Sequence, residues 1–255
     1  MIQSVTRALE ILEFLKSNPR GLGVTEIAHK LDVAKSTAHR LLMSLEEHDY
    51  VQKSGKDSIY SLGLKFIQMA EVVTENLEIV DIARPWIERL SRDTGEIVHL
   101  VMLEGNEVLY IDKVENTSTI RIYSQIGKRG PLYCTGVGKA ILAHLADEEV
   151  ERLLSGVTMQ QFTEFTFTTL EDLKQELQTI RTNQFAYDNE EHERGIRCVA
   201  APIFDHTQRA RYAISITGPI TRMSDDILSE YIPRIKETAQ AVSVKMGYNP
   251  NKINE

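Results

Sequence analysis

Between residues 24 and 60 the chain reads VTEIAHKLDVAKSTAHRLLMSLEEHDYVQKSGKDSIY, and its apolar spacing leaves little freedom of fold. Ile27, Ala28 and Leu31 recur at helical spacing, and Ala38, Leu41, Leu42 and Leu45 form a second helical stripe. Only Asp32, Val33 and Ala34 separate them. Two short helices joined so tightly bury their stripes by packing on each other across the turn, with Val33 plugging the angle. This is a helix-turn-helix over about residues 24–45. The second helix leaves Lys35, Ser36, Thr37, His39 and Arg40 facing out. Short hydroxyls and cations in the N-terminal half of a helix meet phosphates and base edges when it enters the major groove.

The flanks complete the unit. Ala8, Leu9, Ile11, Leu12 and Leu15 supply a supporting helix, ended by Asn18-Pro19-Arg20-Gly21. Downstream, Tyr50-Val51 and Ile59-Tyr60 bracket the polar turn Ser54-Gly55-Lys56-Asp57, the pattern of a hairpin. The expectation is a winged helix-turn-helix spanning 1–63, with Lys53 and Lys56 near the wing tip as phosphate contacts.

A net charge of -8 is unusual for a DNA-binding chain until it is divided. Residues 1–63 hold eight Lys and Arg against eight Asp and Glu, leaving 21 of the 29 cations and 29 of the 37 anions to the remainder. A neutral head binds DNA through cations clustered on one face, modestly per copy and with salt sensitivity. This predicts a homodimer or homotetramer that places two heads on paired half-sites. The opening MIQSVTRALEILEFLKS carries acids among its apolar residues, unlike a signal peptide, and no run is long and apolar enough to span a bilayer. Cys134 and Cys198 lack zinc or CxxC spacing, so neither a disulfide framework nor a cofactor is expected, and the expected compartment is the cytoplasm.

After the wing, residues 64–76 read as a linker helix, followed by a helix interrupted at Pro85. From residue 96 the period changes. IVHLVML, VLYIDKV and TIRIYS are short runs rich in β-branched and aromatic residues, separated by polar turns, and VAAPIF and RYAISIT are two more. Helical patterns lie at 137–145, 147–154 and 170–183, with a closing helix at 225–246 kinked at Pro233. Grouped strands and helices predict an α+β domain over 77–248, an antiparallel sheet with helices packed on it.

Two segments of this domain carry candidate chemistry. GKRGPLYCTGVGKAILA, at 127–143, is not a phosphate loop: the spacing puts Tyr133 where glycine is needed and Ala140 where serine or threonine is needed. What remains is a glycine-rich turn opening a helix, whose backbone N–H groups near Gly136 and Val137 suit a small anion. The alternative is an ordinary glycine-rich loop. YDNEEHERGIRCVAAPIFD, at 187–205, gathers Asp188, Glu190, Glu191, His192 and Cys198. Two competing functions follow from it: a Cys198 nucleophile with His192 as base, or a metal or redox sensor using Cys134, Cys198, His192 and Asp188. Against both, a cysteine at a strand start is usually a small buried hydrophobe, and acids beside a histidine usually form a solvated loop.

Over nearly its whole length the chain resembles the IclR family of bacterial transcriptional regulators. The motifs that carry the resemblance are KSTAHRLL, GPLYCTGVGKAILA and DNEEHERGIRCVAAPIFD followed by AISITGP, in that order. The resemblance implies a winged helix-turn-helix, a linker helix and a GAF-like C-terminal effector-binding domain, assembled as a dimer of dimers on operator DNA. It implies a non-enzymatic regulator, a repressor relieved by a small carboxylate or sugar acid of the 2-keto-3-deoxygluconate kind. Carried over residue by residue, it assigns effector contacts to Gly136, Val137, Asp188, Ile196, Cys198, Ser215 and Thr217. This chain departs from the pattern at Thr217, where serine is common, and at Val137, where a smaller residue often stands; both narrow the pocket. Arg121, Lys128, Arg129 and Arg197 are available to balance an acid's charge.

Overall fold

The structure is a computed structural model that describes residues 2–54, 59–75, 78–115 and 125–249. It divides into two compact units, Met1–Asn76 and Leu77–Glu255.

The first unit is built in order from α1 (Gln3–Lys16), β1 (Leu22–Gly23), α2 (Val24–Lys30), α3 (Lys35–Glu47), β2 (Val51–Ser54), β3 (Ile59–Leu62) and α4 (Lys65–Glu75). The two stripes seen in the sequence meet in one core, where Ile11, Ile27, Ala38 and Leu42 are fully buried and Leu15, Val51 and Tyr60 nearly so. Val33 packs half-buried against this cluster. Asp32 adopts a φ of 51°, a left-handed conformation tolerated by Asp that reverses the chain between α2 and α3. At the start of α2, Glu26 Oε2 accepts the Gly23 N–H at 2.9 Å. The hairpin gains a strand that periodicity did not suggest: β1 pairs with β3 through Leu22 and Tyr60, so the sheet is three-stranded, ordered β1-β3-β2. Two residues are too few for alternation to register. The turn holding Lys56 lies outside the described residues.

Gly63 joins this hairpin to α4. Its N–H donates to Tyr50 O at 2.9 Å, and a Cβ there would stand 2.0 Å from Asp49 O, so no other residue fits without moving the backbone. Phe66 then lies edge-on to Tyr50, ring centroids 5.6 Å apart.

The second unit runs α5 (Glu78–Thr94), β4 (Ile97–Glu104), β5 (Glu107–Val114), β6 (Arg129–Pro131), α6 (Gly136–Leu142), α7 (Asp147–Leu154), α8 (Leu170–Asn183), β7 (Ala186–Asn189), β8 (Ile196–Phe204), β9 (Ala210–Pro219) and α9 (Asp225–Lys245). Its strands form a six-stranded antiparallel sheet ordered β6-β5-β4-β9-β8-β7. Strand alternation sorts the side chains into two layers. Val98, Leu100, Val199, Ala201, Ile203, Ile214 and Ile216 point to one face and pack with Ile79, Ala83 and Ile87 of α5 and Ile235, Ala239 and Val242 of α9. On the other face, Val101, Ala186, Ala200 and Ala213 pack with α6, α7 and α8 through Val137, Ile141, Val150, Leu173 and Leu177.

The interruption expected at Pro85 needs correction, while the closing helix is present with Pro233 inside it. α5 continues through Pro85 and α9 through Pro233. A helix-internal proline forfeits one hydrogen bond and crowds the preceding turn. The buried stripes of these two helices against the sheet outweigh that local cost. The run TIRIYS, expected as a strand, lies outside the described residues, and β7 occupies a stretch that the sequence presented as an acidic loop.

Candidate functional site

On the first unit, α3 buries Ala38 and Leu42 completely and half-buries Leu41 and Leu45, which turns the opposite side to solvent. Lys35, Ser36, His39 and Arg40 are exposed, and Thr37 is half-buried rather than outward-facing, because one turn from Leu41 it flanks the packed stripe. Ala34 is the N-cap and offers no side-chain hydrogen bond to the first turn. The Ala34 carbonyl accepts the Thr37 N–H at 2.9 Å, so of the first turn only the Lys35 and Ser36 N–H groups lack an acceptor among the described residues. Lys53 is exposed on β2 with its ammonium 5.7 Å from the centre of the Tyr60 ring.

On the second unit, the helix-covered face of the sheet is interrupted by polar side chains. The registers explain where: His99 on β4 pairs with Ser215 on β9, which pairs with Ala200 on β8, while Thr217 pairs with Cys198, and Cys198 with Asp188 on β7. Alternation brings these residues to one side of four neighbouring strands. Where large hydrophobes stand elsewhere, this patch carries small and polar groups, and α6 cannot close over it. A cavity results, with about 600 Å³ of empty space counting its mouth, lined by His99, Tyr110, Lys128, Arg129, Thr135, Gly136, Val137, Asp188, His192, Glu193, Ile196, Cys198, Ser215 and Thr217. Gly136, Val137, Asp188, Ile196, Cys198, Ser215 and Thr217, singled out in the sequence, thus stand around one space.

Three of the lining side chains form a triangle. His99 Nδ1 is 3.2 Å from both Ser215 Oγ and Thr217 Oγ1, and the two oxygens are 3.2 Å apart. Burial, aided by the Lys113 charge, lowers the His99 pKa to about 3, so the ring is neutral. Tyr110 holds that ring edge-on, centroids 5.2 Å apart. At the helix side, Thr135 Oγ1 caps α6 by accepting the Gly138 N–H at 3.1 Å, and the Val137 N–H has no acceptor among the described residues. Gly136 packs directly on Cys198: a Cβ there would lie 2.7 Å from Cys198 Sγ.

Asp188 at the end of β7 and Glu191 in the β7–β8 loop are buried, against the expectation of a solvated loop, whereas Glu190 is half-buried and Glu193 exposed. Asp188 Oδ1 accepts the Glu191 N–H at 2.8 Å and the His192 N–H at 3.4 Å, folding the loop back on itself. Burial and the nearby Glu191 charge raise the Asp188 pKa to about 7. Glu191 in turn meets the fully buried Lys139 at 2.5 Å, with Glu176 3.8 Å from the same ammonium. Burial raises the Glu191 pKa, and Lys139 opposes the shift. The two threonines Thr163 and Thr166 donate to the Glu190 and Glu191 carbonyls, each at 2.6 Å, and strap the loop from outside.

Several assignments change. Arg197 does not face the cavity: one residue from Cys198, it points to the opposite side of the sheet, donating to Met223 O and pairing with Asp225, both at 2.7 Å. Arg121 lies outside the described residues, which leaves Lys128 and Arg129 as the cations in the lining. Burial pushes the Cys198 and Cys134 thiols far above their ordinary range, so neither is a ready nucleophile, and Cys134 sits in the apolar layer under α6. His192 lies against Phe162, centroids 5.1 Å apart, and its pKa is lowered by burial. Among the described residues no group of three His, Cys, Asp or Glu is placed to hold a metal. Sequence reasoning missed His99, Tyr110 and Thr135. The one available signal was a histidine inside the apolar strand IVHLVML, and it becomes informative only once the register sets it opposite Ser215.

A helix-turn-helix head followed by a second unit with a polar cavity inside its core defines a DNA-binding transcriptional regulator with a separate C-terminal domain. Residues 4–55 match the IclR helix-turn-helix domain, and residues 71–244 match the C-terminal domain of the bacterial transcriptional regulator IclR. The chain is 35% identical over 248 residues to the HTH-type transcriptional regulator XynR of Escherichia coli K12, covering 97% of this chain and 98% of that one. It is equally 35% identical to KdgR of the same organism, covering 97% of this chain and 94% of that one. The crystal structure of Thermotoga maritima IclR superposes with a TM-score of 0.82 at 38% identity, covering 97% of this chain and all of that one. The chain belongs to the IclR family. It is a DNA-binding transcriptional regulator of a non-enzymatic family, and among the described residues no helix is long and apolar enough to cross a membrane.

Proposed function

We propose that this protein is a cytoplasmic repressor whose hold on operator DNA is relieved by a small hydroxylated carboxylate, of the 2-keto-3-deoxygluconate kind, in the cavity of its second unit. The observation that carries the reading is the lining itself. The lining brings together the Val137 N–H, the Ser215 and Thr217 hydroxyls, Lys128, Arg129 and Asp188 around one space, with Asp188 next to the start of α6. Donors and cations together select an anion, while a buried carboxyl group of raised pKa serves the hydroxyls of a sugar acid, or donates to its carboxylate when protonated. On the DNA side, Lys35, Ser36, Thr37, His39 and Arg40 are the groove-reading set, with Lys53 and Lys56 on phosphates. Exposed Ile2 just before α1, Val5 and Leu9 on α1, and Leu64, Ile67 and Val72 at α4 give the first unit an apolar surface suited to pairing with a second copy, in a homodimer or a tetramer.

For a ligand to act, it must bind one arrangement of the protein better than the other. The test selects a binding site from a random duplex pool with purified protein, then titrates the complex with sugar acids, keto acids and aromatic acids while recording melting temperature. An acid that both raises the melting temperature and releases the DNA is expected. Stabilisation by no member of the panel, or by neutral sugars equally, overturns the reading. No observation favours the metal-sensing or hydrolytic alternatives.

A further inference from the structure

Among the described residues, the hydroxyl-bearing side chains that line the cavity are Tyr110, Thr135, Ser215 and Thr217, and the protein itself holds three of them. Ser215 and Thr217 lie 3.2 Å apart and each 3.2 Å from His99 Nδ1, so they are engaged within the triangle. Thr135 Oγ1 donates to Pro131 O at 2.7 Å and accepts the Gly138 N–H at 3.1 Å. The Tyr110 phenol has no hydrogen-bond partner among the described residues, although its ring is half-buried against the apolar layer under α6. A phenol drawn out of bulk water normally finds a partner in the protein, and one left without it points to something the protein binds.

The ring is held from three directions. The Tyr110 N–H donates to Lys128 O at 3.0 Å, and Tyr110 O accepts the Gly127 N–H at 2.8 Å, which pins the backbone. His99 stands edge-on to the ring, and Gly130 lies so close that a Cβ there would come within 3.4 Å of Tyr110 Cε2. Burial raises the Tyr110 pKa above its ordinary range, so the O–H keeps its proton. Cys198 and Asp188 are the next groups to act on it, which sets the phenol oxygen within electrostatic reach of the Asp188 carboxyl. A fixed donor and an acceptor in one cavity have a definite complement. A ligand hydroxyl accepts from the phenol and donates to the carboxylate at once, whereas a ligand carboxylate in that place would meet the Asp188 charge.

We infer that Tyr110 is a specificity-determining residue of the cavity: its O–H, together with the Asp188 carboxyl, receives a hydroxyl group of the ligand and so selects a hydroxylated acid over the same acid without hydroxyls. The inference rests on the effector reading above for the occupant, and on the unpartnered phenol for the residue that reads it.

Tyr110→Phe keeps the ring and its edge-on contact and removes only the oxygen. In the ligand-free full-length protein the variant is expected to melt within about 2 °C of wild type, because no protein group loses a bond; a larger loss reveals a partner inside the protein and overturns the inference. Calorimetry then compares 2-keto-3-deoxygluconate with 2-oxohexanoate, the same 2-keto acid chain without hydroxyls. Wild type is expected to prefer the hydroxylated acid, and Tyr110→Phe to lose about 5- to 30-fold toward it and less than about twofold toward 2-oxohexanoate. No preference in wild type, equal losses toward both acids, or no loss toward the hydroxylated one overturns the inference and leaves the effector reading in place. Binding of neither acid by wild type fails the effector reading itself, and the inference with it.

Discussion

Gly136 is the residue whose replacement gives the most legible signal. A Cβ at this position would meet Cys198 Sγ at 2.7 Å, Asp188 N at 3.3 Å and Ala200 Cβ at 3.4 Å. The last two contacts need a few tenths of an ångström, but the sulfur is trapped in the core with 6% of Cys198 exposed. Overpacking of this kind costs about 1–3 kcal/mol. A gain from helix propensity opposes it, about 1 kcal/mol for alanine over glycine in a helix interior and less at the first helical residue, where Gly136 stands. The clash therefore wins. In a unit of this size each 1 kcal/mol moves the melting temperature by roughly 2–4 °C, so Gly136→Ala should melt several degrees lower. Trp86, the single tryptophan, lies on α5, so its fluorescence follows the second unit without interference from the first. Cys198→Ala removes the sulfur and should cost about 1 kcal/mol by itself. If the steric account is right, the double variant Gly136→Ala, Cys198→Ala melts close to Cys198→Ala, a departure from additivity of about 1 kcal/mol or more. Strictly additive losses, or a Gly136→Ala protein that melts higher than wild type, refute the reasoning.

Lys139→Met strands the buried Glu191 carboxylate, whose partner ammonium lies at 2.5 Å, and should cost about 3–5 kcal/mol in the same melt; adding Glu191→Gln should recover much of it, and a single variant as stable as wild type contradicts the pairing. Asp188 titrates at about 7 in the fold against 3.8 when free, so its contribution to stability is complete below about pH 4 and is lost as pH rises through 7. His99 has the opposite sign, gaining stability between about pH 3 and 6.5, so the comparison to make is Asp188→Asn minus wild type: the melting difference should grow in favour of the variant from pH 5 to pH 8, and a constant difference rejects the assignment. Arg40→Ala should weaken DNA binding by about 1–3 kcal/mol and relax discrimination at one base pair, whereas Lys53→Ala should weaken all sequences alike and flatten the salt slope. Footprints and salt titrations unchanged in both variants would remove α3 and β2 from the interface.

The head was legible because its chemistry is local. Periodicity, a three-residue turn and the exposed cations of α3 lie within one stretch, and the helices occupy it as read. The cavity was legible only in pieces. The glycine turn and the acidic run each suggested an anion site or a loop, and nothing in their spacing joined them; the family resemblance did so, and the sheet register supplies the physical reason. His99 and Ser215 are 116 residues apart and become neighbours only because β4 pairs with β9. The same dependence explains the errors. Arg197 looked available beside Cys198, but adjacent residues on a strand face opposite sides. Pro85 looked like a break because the burial that holds α5 together comes from partners distant in sequence. Glu191 looked solvated for the same reason, its neutralising partner Lys139 lying outside its own segment.

The close approach at Gly63 has a mechanical meaning for the regulator. Backbone contact with Asp49 and Tyr50, reinforced by the Phe66 ring, welds the first turn of α4 to the wing hairpin. α4 is therefore a handle rather than a tether. The start of α4 and the residues entering the hairpin form one packed piece of the first unit, with no slack between Gly63 and the Asp49–Tyr50 backbone. A side chain at Gly63 would push that backbone contact apart and give the start of α4 freedom from the hairpin that the glycine denies it.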